Sequence, residues 1–272
     1  MSHILKDLST PALIKAVKGN LYGLFRLLKQ SAKTEFVESD ELVRWHTSIR
    51  HPWFNGVLCT QAASTHETSV IQDTLAYFKS RQVSIFTWWM ETNLPVEVWK
   101  QSLLGQGLKV DENTPGMALD LSTLKPKQPL PAGLQIEQVT DLETFQDWTH
   151  TFVQAFELPD SWKASLYDIF ASLGLALPVR HYLGYLAGEQ AATATLFLGA
   201  GVAGIYNVAT VPEARKQGIG AAMTLRPLYD AYALGYHVGI LQSSEAGFGV
   251  YQKLGFQKIC NMDHYFWGDE TE

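Results

Sequence analysis

The sequence predicts a mixed α/β protein built from two domains, and three observations predict it. The chain has 272 residues, a comfortable length for two domains. The stretch Lys125-Pro126-Lys127-Gln128-Pro129-Leu130-Pro131-Ala132-Gly133 cannot continue a helix or enter a central strand, and reads as a linker. On both sides of it, segments of helical and of strand periodicity alternate. The expected division is residues 1–124, the linker 125–133, and residues 134–272.

Upstream, Leu13, Val17, Leu21, Leu24 and Leu28 recur at helical spacing. Lys15, Lys18, Asn20 and Arg26 make this stretch too polar to span a bilayer. It reads as an amphipathic helix packed on its own domain rather than on a membrane. Residues 56–61 read as a strand, 68–81 as a helix, 83–88 as a strand, 96–104 as a helix and 116–121 as a strand. The aromatics Trp45, Trp53, Phe54, Trp88 and Trp89 supply core material or line a site wall.

Downstream the order is clearer. Residues 134–139 read as a strand, 142–156 and 161–173 as helices, and 182–187, 192–198 and 204–211 as successive strands. A helix from Gly218 to Leu234 closes at Gly235, followed by a strand over 238–242. A short helix over 247–254 ends at Gly255, and one last strand covers 257–266. Val98-Trp99-Lys100-Gln101 through Gly107-Leu108 echoes Val250-Tyr251-Gln252-Lys253 through Gly255-Phe256, which suggests two halves of one fold.

The totals exclude several functions. A net charge of −6 and a pI near 5.8 argue against a protein made to neutralise phosphate backbones, so no nucleic-acid partner is expected. Cys59 and Cys260 are the two cysteines, too few for a disulfide framework, and no Cys/His cluster has metal-ligand spacing. A reducing cytoplasm is the expected setting, with no metal and no membrane partner.

The chemistry is carried by Val208-Ala-Thr-Val-Pro-Glu-Ala-Arg215-Lys-Gln-Gly218-Ile-Gly220-Ala-Ala-Met-Thr. A strand ends, a proline turns the chain, and Arg-x-x-Gly-x-Gly opens a helix. Glycines admit a ligand close to the backbone, and the first N–H groups of a helix have no internal acceptor. The result is an anion cradle made of main chain. It is not a P-loop, because Gly220 is followed by Ala221 and Ala222. It is not a dinucleotide fingerprint either, because the third glycine position holds Met223.

A second segment, Leu241-Gln-Ser-Ser244-Glu-Ala-Gly-Phe-Gly-Val-Tyr251-Gln-Lys-Leu-Gly255-Phe256, follows. The pair, Val-x-Pro-x-x-Arg-x-x-Gly-x-Gly with a downstream Tyr-x-x-Leu-Gly-Phe, resembles the GNAT superfamily of acyl-CoA N-acyltransferases. The match is close from Tyr206 to Phe256. The resemblance implies the GNAT fold for residues 134–272, and a degenerate relative of it without the glycine loop for the N-terminal half. It also implies acetyl transfer from acetyl-CoA to a primary amine of a small molecule or peptide by direct attack. The other function on this fold is a non-catalytic acyl-CoA-binding module. A homodimer through an edge strand is a further arrangement the fold offers.

Site residues follow from the same resemblance. Main-chain groups of Ala209, Thr210 and Val211 would pair with the pantetheine arm. Lys216, Gln217, Gly218, Ile219, Gly220 and Ala221 would cradle the pyrophosphate. Ser244 stands where many members carry an asparagine that bonds pantetheine, and Gly247 replaces a common alanine. Tyr251 stands at the thiolate-protonating position; its other reading is a ring that anchors the helix–strand corner. Many relatives place a glutamate on the strand Gly204-Ile-Tyr-Asn-Val-Ala-Thr, which here has no acid. Glu157, Glu189, His181 and His264 are candidate bases, none of them assigned. Glu157, Asp160 and Trp162 are candidate acceptor contacts, against the alternative of an N-cap at Asp160 or Ser161 with Trp162 in the core.

Overall fold

The computed structural model describes residues 4–59, 67–90, 96–111, 114–262 and 264–268. In chain order the elements are α1 (Thr10–Leu27), β1 (Glu35–Glu38), β2 (Leu42–His46), β3 (Gly56–Cys59), α2 (Glu67–Ser80), β4 (Phe86–Met90), α3 (Val96–Gly105), β5 (Lys109–Asp111) and β6 (Pro115–Asp120). Then come β7 (Leu134–Gln138), α4 (Leu142–Ala155), α5 (Lys163–Ala171), β8 (Val179–Leu186), β9 (Glu189–Gly199) and β10 (Val202–Thr210). The chain closes with α6 (Ile219–Ala233), β11 (Val238–Gln242), α7 (Glu245–Leu254), β12 (Gln257–Asn261) and β13 (His264–Trp267). Residues 60 and 61 of the expected strand 56–61 lie outside the described residues.

Two compact units form, and they do not divide at the proline-rich stretch. One holds the chain up to Leu27 together with Pro115–Cys260; the other holds Leu28–Thr114 and the chain from Asn261 onward. Both α1 and β6 belong to the first unit, so the stretch 125–133 joins β6 to β7 within it. The expected boundary is thus corrected by strand pairing: β6 pairs antiparallel with β11, from Val238↔Asp120 to Gln242↔Gly116. The expected single strand 257–266 is likewise two strands in two sheets. β12 ends the seven-stranded sheet, and β13 pairs with β4 and β5 in the other.

The first unit's sheet runs in the order β12-β6-β11-β10-β9-β8-β7. Met117, Leu119, Leu196, Leu198, Ile205 and Leu241 form one face of it and pack with Ile219, Met223 and Leu228 of α6. Phe145, Trp148 and Phe152 of α4 are buried in the same unit, and α4 packs on β8, β9 and β10. α1 also packs on β9 and β10. Its Asn20 is fully buried, and its amide donates to the carbonyls of Phe197 (3.3 Å), Gly199 (2.8 Å) and Val202 (3.4 Å). Asn20 Oδ1 accepts from the Tyr206 hydroxyl at 2.6 Å. A buried amide with these partners is satisfied, and it fixes α1 to this unit instead of the N-terminal domain expected for it.

The second unit has a six-stranded sheet, β1-β2-β3-β4-β13-β5, with β3 and β4 parallel across α2. Trp88, Trp99, Phe78 and Phe86 fill its core, and Trp45 is buried too, whereas Trp53 is exposed. Most of the upstream aromatics are therefore core.

Candidate active site

The site is built at the end of β10. β10 runs parallel to β11 at Ala203↔Gly239 and Gly204↔Ile240, and from Ile205 onward this pairing ends. On its other side β10 stays with β9, at Tyr206↔Thr195, then at Ala209↔Thr193 and Thr210↔Ala192. Asn207 and Val208 form a bulge between those pairs, and Asn207 has φ 53°. β10 therefore bonds β9 on one edge and opens a gap toward β11 on the other. Ala209, Thr210 and Val211 lie along that gap, and Val211 N–H donates to Ala191 O at 2.9 Å.

The bulge aims a backbone donor. The Thr193 hydroxyl donates to Asn207 O at 2.8 Å, which turns that carbonyl toward β9. Across a planar trans peptide the N–H points opposite to the C=O, so Val208 N–H faces the gap.

After β10 a turn at Pro212–Ala214 leads to Arg215, then to Lys216 (φ 63°) and Gly218 (φ 81°), two left-handed residues that swing the chain into α6. Asp141 and Ser244 cap α4 and α7 with their side chains, accepting from Thr144 N–H (2.8 Å) and Gly247 N–H (3.2 Å). Gly218 is the N-cap of α6 and has no side chain to do so. The first bond of α6 is Ala222 N–H to Gly218 O at 3.2 Å. The N–H groups of Ile219, Gly220 and Ala221 precede it and have no acceptor within the helix. A Cβ on Gly220 would meet Thr210 Oγ1 alone, at 4.0 Å, so the space over this turn is open. An anionic group fits there, at the positive end of the helix. Ile219 contributes through its amide, since its side chain is buried in the core.

Tyr251 lies half-buried on α7, against the core beneath α6. Burial pushes its phenol above the ordinary range, and a hydrogen bond with the Thr224 side chain works the other way. The Thr224 hydroxyl donates to Gly220 O at 2.8 Å, near the start of α6. The ring also makes an edge contact with Phe256, 6.0 Å between centroids. Gly255 closes α7 at φ 100°. Ser244 caps α7 through its oxygen, a job the sequence did not assign to it.

The structure separates the remaining candidates. Glu157 (φ 55°) pairs with Arg215 at 3.2 Å. His181 is fully buried, with its ring 4.6 Å from Trp148 and 5.1 Å from Phe145, and burial pushes its imidazole down to about 3. It is a neutral core group rather than a base in contact with solvent. Glu189 is exposed at the β8–β9 hairpin. His264 stacks on Trp89, 4.3 Å between centroids, in the second unit's sheet. Asp160 opens a 3-10 turn without capping it and pairs with Lys163 at 3.0 Å. Trp162 is half-buried, so neither part of the cap-and-core alternative holds.

Sequence reading missed Asn20. A Cβ on Gly204 would fall on its Oδ1, so this strand position has no room for an acidic side chain. Its signal was a polar residue on the apolar stripe of the first helix. The second unit also carries an open cleft of about 580 Å³, lined in part by Glu35, His46 and Arg81. Glu35 bonds His46 Nε2 (3.1 Å), the Tyr77 hydroxyl (3.0 Å) and Arg81 Nε (2.6 Å), a network closed on itself. Among the described residues no group of side chains is arranged to hold a metal ion, and no helix is long and apolar enough to cross a membrane.

No family model matches the sequence, and no curated protein matches it. Solved structures do. A GCN5-related N-acetyltransferase from Kribbella flavida is 18% identical, with 95% of this chain and 96% of that one covered at a TM-score of 0.68. Another, from Sphaerobacter thermophilus, is 13% identical over 98% and 94%, at 0.61. A tandem GNAT protein from the clavulanic acid biosynthesis pathway is 13% identical over 97% of each chain, at 0.60. Identities this low speak to the fold. The chain has the fold of the GNAT N-acetyltransferases, and its likeness to a tandem member runs through both halves.

Proposed function

We propose that this protein transfers an acetyl group from acetyl-CoA to a primary amine of a small molecule or peptide, by direct attack. The observation that carries the reading is the opening between β10 and β11, with uncapped α6 amides at one end; Tyr251 packs against the same core. Acetyl-CoA would supply an activated acyl group with a thiolate leaving group. The α6 amides of Ile219, Gly220 and Ala221, with the loop residues Lys216, Gln217 and Gly218, hold the pyrophosphate. The edge of β10 that no longer pairs with β11, at Ala209, Thr210 and Val211, takes the pantetheine arm, and the Ser244 hydroxyl keeps a proton to donate toward it.

Val208 N–H faces the reacting carbonyl and stabilises the charge that develops on its oxygen. Tyr251, a phenol that is protonated at neutral pH and that burial holds further toward that form, donates a hydrogen bond or its proton to the departing sulfur. Holding the two reactants together supplies much of the rate, and no covalent enzyme intermediate is needed. The cytoplasm is the setting we infer.

A second reading, an acyl-CoA-binding module without turnover, is favoured by one observation: Asn20 occupies the space over Gly204, where β10 has no acid. Calorimetric titration with acetyl-CoA, then thiol release with a panel of amines, separates the two. Saturable binding with amine-dependent release supports transfer; binding without release for any amine supports the module. Gly220→Glu should fold normally, since nothing crowds that position, and should lose acetyl-CoA binding. Retained binding would overturn the cradle.

A further inference from the structure

We propose that Thr193, Thr195 and Asn207 form a side-chain clamp that holds the β10 bulge in shape, making them positioning residues for the Val208 amide. The inference rests on the acyl-transfer reading for its activity readout and on the fold alone for its structural one.

Two bonds grip Asn207, and a third anchors one of its partners. Thr193 Oγ1 donates to Asn207 O at 2.8 Å, and Asn207 Nδ2 donates to Thr195 Oγ1 at 3.1 Å. Thr195 Oγ1 lies 3.0 Å from His181 Nδ1 on the next strand. Both threonines and the histidine are buried, with relative exposures of 0%, 1% and 0%. The clamp is thus anchored in packed core and grips a residue that has left the ladder. Asn207 sits at φ 53°, a left-handed conformation that asparagine tolerates better than most residues and that still needs support. Between Tyr206↔Thr195 and Ala209↔Thr193, two residues of β10 have no partner on β9. The side chains of Thr193 and Thr195 replace the missing ladder bonds.

The consequence is directional. If the Thr193 bond is lost, the Asn207–Val208 peptide is free to rotate and the Val208 N–H no longer has a fixed aim. Preorganised donors work because they need no reorganisation as charge develops. Removing such a donor outright costs roughly a hundred- to a thousandfold in turnover. A donor left present but loosely aimed should cost about tenfold.

The test compares Thr193→Val, nearly isosteric without the hydroxyl, with Thr193→Ser, which restores it, and Asn207→Gly, which keeps the left-handed backbone without the amide. Acetyl-CoA affinity is measured by calorimetry. Turnover is measured with whichever of spermidine, tyramine, glucosamine or a lysine peptide the wild type uses, and the Val208 and Ala209 amides are followed by NMR. The clamp predicts shifted or broadened Val208 and Ala209 resonances in T193V and N207G. It also predicts turnover down about tenfold, unchanged acetyl-CoA affinity, and recovery in T193S.

Unmoved amide resonances in T193V would overturn the clamp whatever the activity. Moved resonances with wild-type turnover would overturn its role in positioning the donor, and so would parallel loss of turnover, affinity and melting temperature. A wild type that turns over none of the amines counts against acyl transfer instead, and the NMR comparison still decides the clamp.

Discussion

Arg215 Nη2 lies 3.2 Å from Glu157 Oε2 and 3.1 Å from Ala155 O, while its Nε lies 3.1 Å from Thr210 O. The arginine of the β10–α6 loop thus ties the last turn of α4 to the end of β10. A cation at a helix C-terminus suits both the free carbonyls and the dipole. This is a bracing role: the guanidinium is already engaged with protein carbonyls, and the helix amides remain for the anion.

The same pair predicts unequal effects. Both side chains are substantially exposed, 44% and 65%, so the ion pair itself should contribute little. Glu157→Gln should leave the melting temperature within a degree or two and turnover near wild type. Arg215→Ala removes two carbonyl partners as well, and should destabilise by about 1–3 kcal/mol and weaken acetyl-CoA binding. Thermal melts and thiol-release assays on both variants check this. Loss of turnover in Glu157→Gln, with its fold intact, would restore Glu157 as a base.

Gly247 shows how a small departure from a motif acquires meaning from packing. In sequence its replacement of a common alanine has no evident consequence. In the structure a Cβ there would lie 2.8 Å from Tyr251 Cε2 and 3.3 Å from Ser244 Oγ. Alanine favours a helix interior over glycine by about 1 kcal/mol, so Gly247→Ala should be as stable as wild type or more so. It should also displace the phenol ring and lower turnover toward the level of Tyr251→Phe, with acetyl-CoA affinity preserved. Wild-type rates in both variants would remove the tyrosine from the reaction.

What was legible in the sequence is local. The glycine turn into α6 and the Gly255 stop depend on residues within a few positions, and both formed where expected; the Ser244 cap is equally local, but the sequence reading started that helix at Gly247 and missed it. The cradle is main chain, so its signature is the set of residues that permit the backbone path. What was illegible is nonlocal. Nothing near Gly116 says that β6 will pair with β11, more than a hundred residues on, and Gln257 to Phe266 reads as one strand because the change of sheet leaves no local mark. Thr193 and Thr195 alternate as any strand would, and only the register shows both reaching Asn207.

His181 gives the protein a pH dependence with a definite sign. Its imidazole is fully buried and pushed from 6.5 down to about 3, so the folded state keeps it neutral while the unfolded chain takes up a proton below 6.5. The unfolded state therefore binds more protons between those values. This share of stability is whole above pH 6.5 and falls by about 1.4 kcal/mol per pH unit as pH drops toward 3. His181→Asn should flatten the dependence in urea unfolding at pH 7, 6, 5 and 4. His51 of the second unit, pushed down to about 4 by burial, titrates in both proteins and cancels in the comparison. Equal slopes would mean that the site takes up a proton without unfolding.

The exchange of strands predicts that a chain cut at the proline-rich stretch will not yield a folded C-terminal half. Residues 134–272 lack β6, whose Met117 and Leu119 are buried in the core with Leu121 just beyond it. Each such side chain stabilises by about 1.5–3 kcal/mol, so losing three costs roughly 5–9 kcal/mol, comparable to the whole stability of a typical domain. β11 would also expose an unpaired edge, and without α1 the carbonyls of Phe197, Gly199 and Val202 would lose Asn20. Residues 1–124 are short of a strand too, because β13 stands between β4 and β5. Each fragment should therefore give a collapsed NMR spectrum alone, and mixing them should restore dispersion, since each carries a strand the other's sheet needs. A dispersed spectrum from 134–272 by itself would show that β6 and α1 are accessories rather than parts of that unit's core.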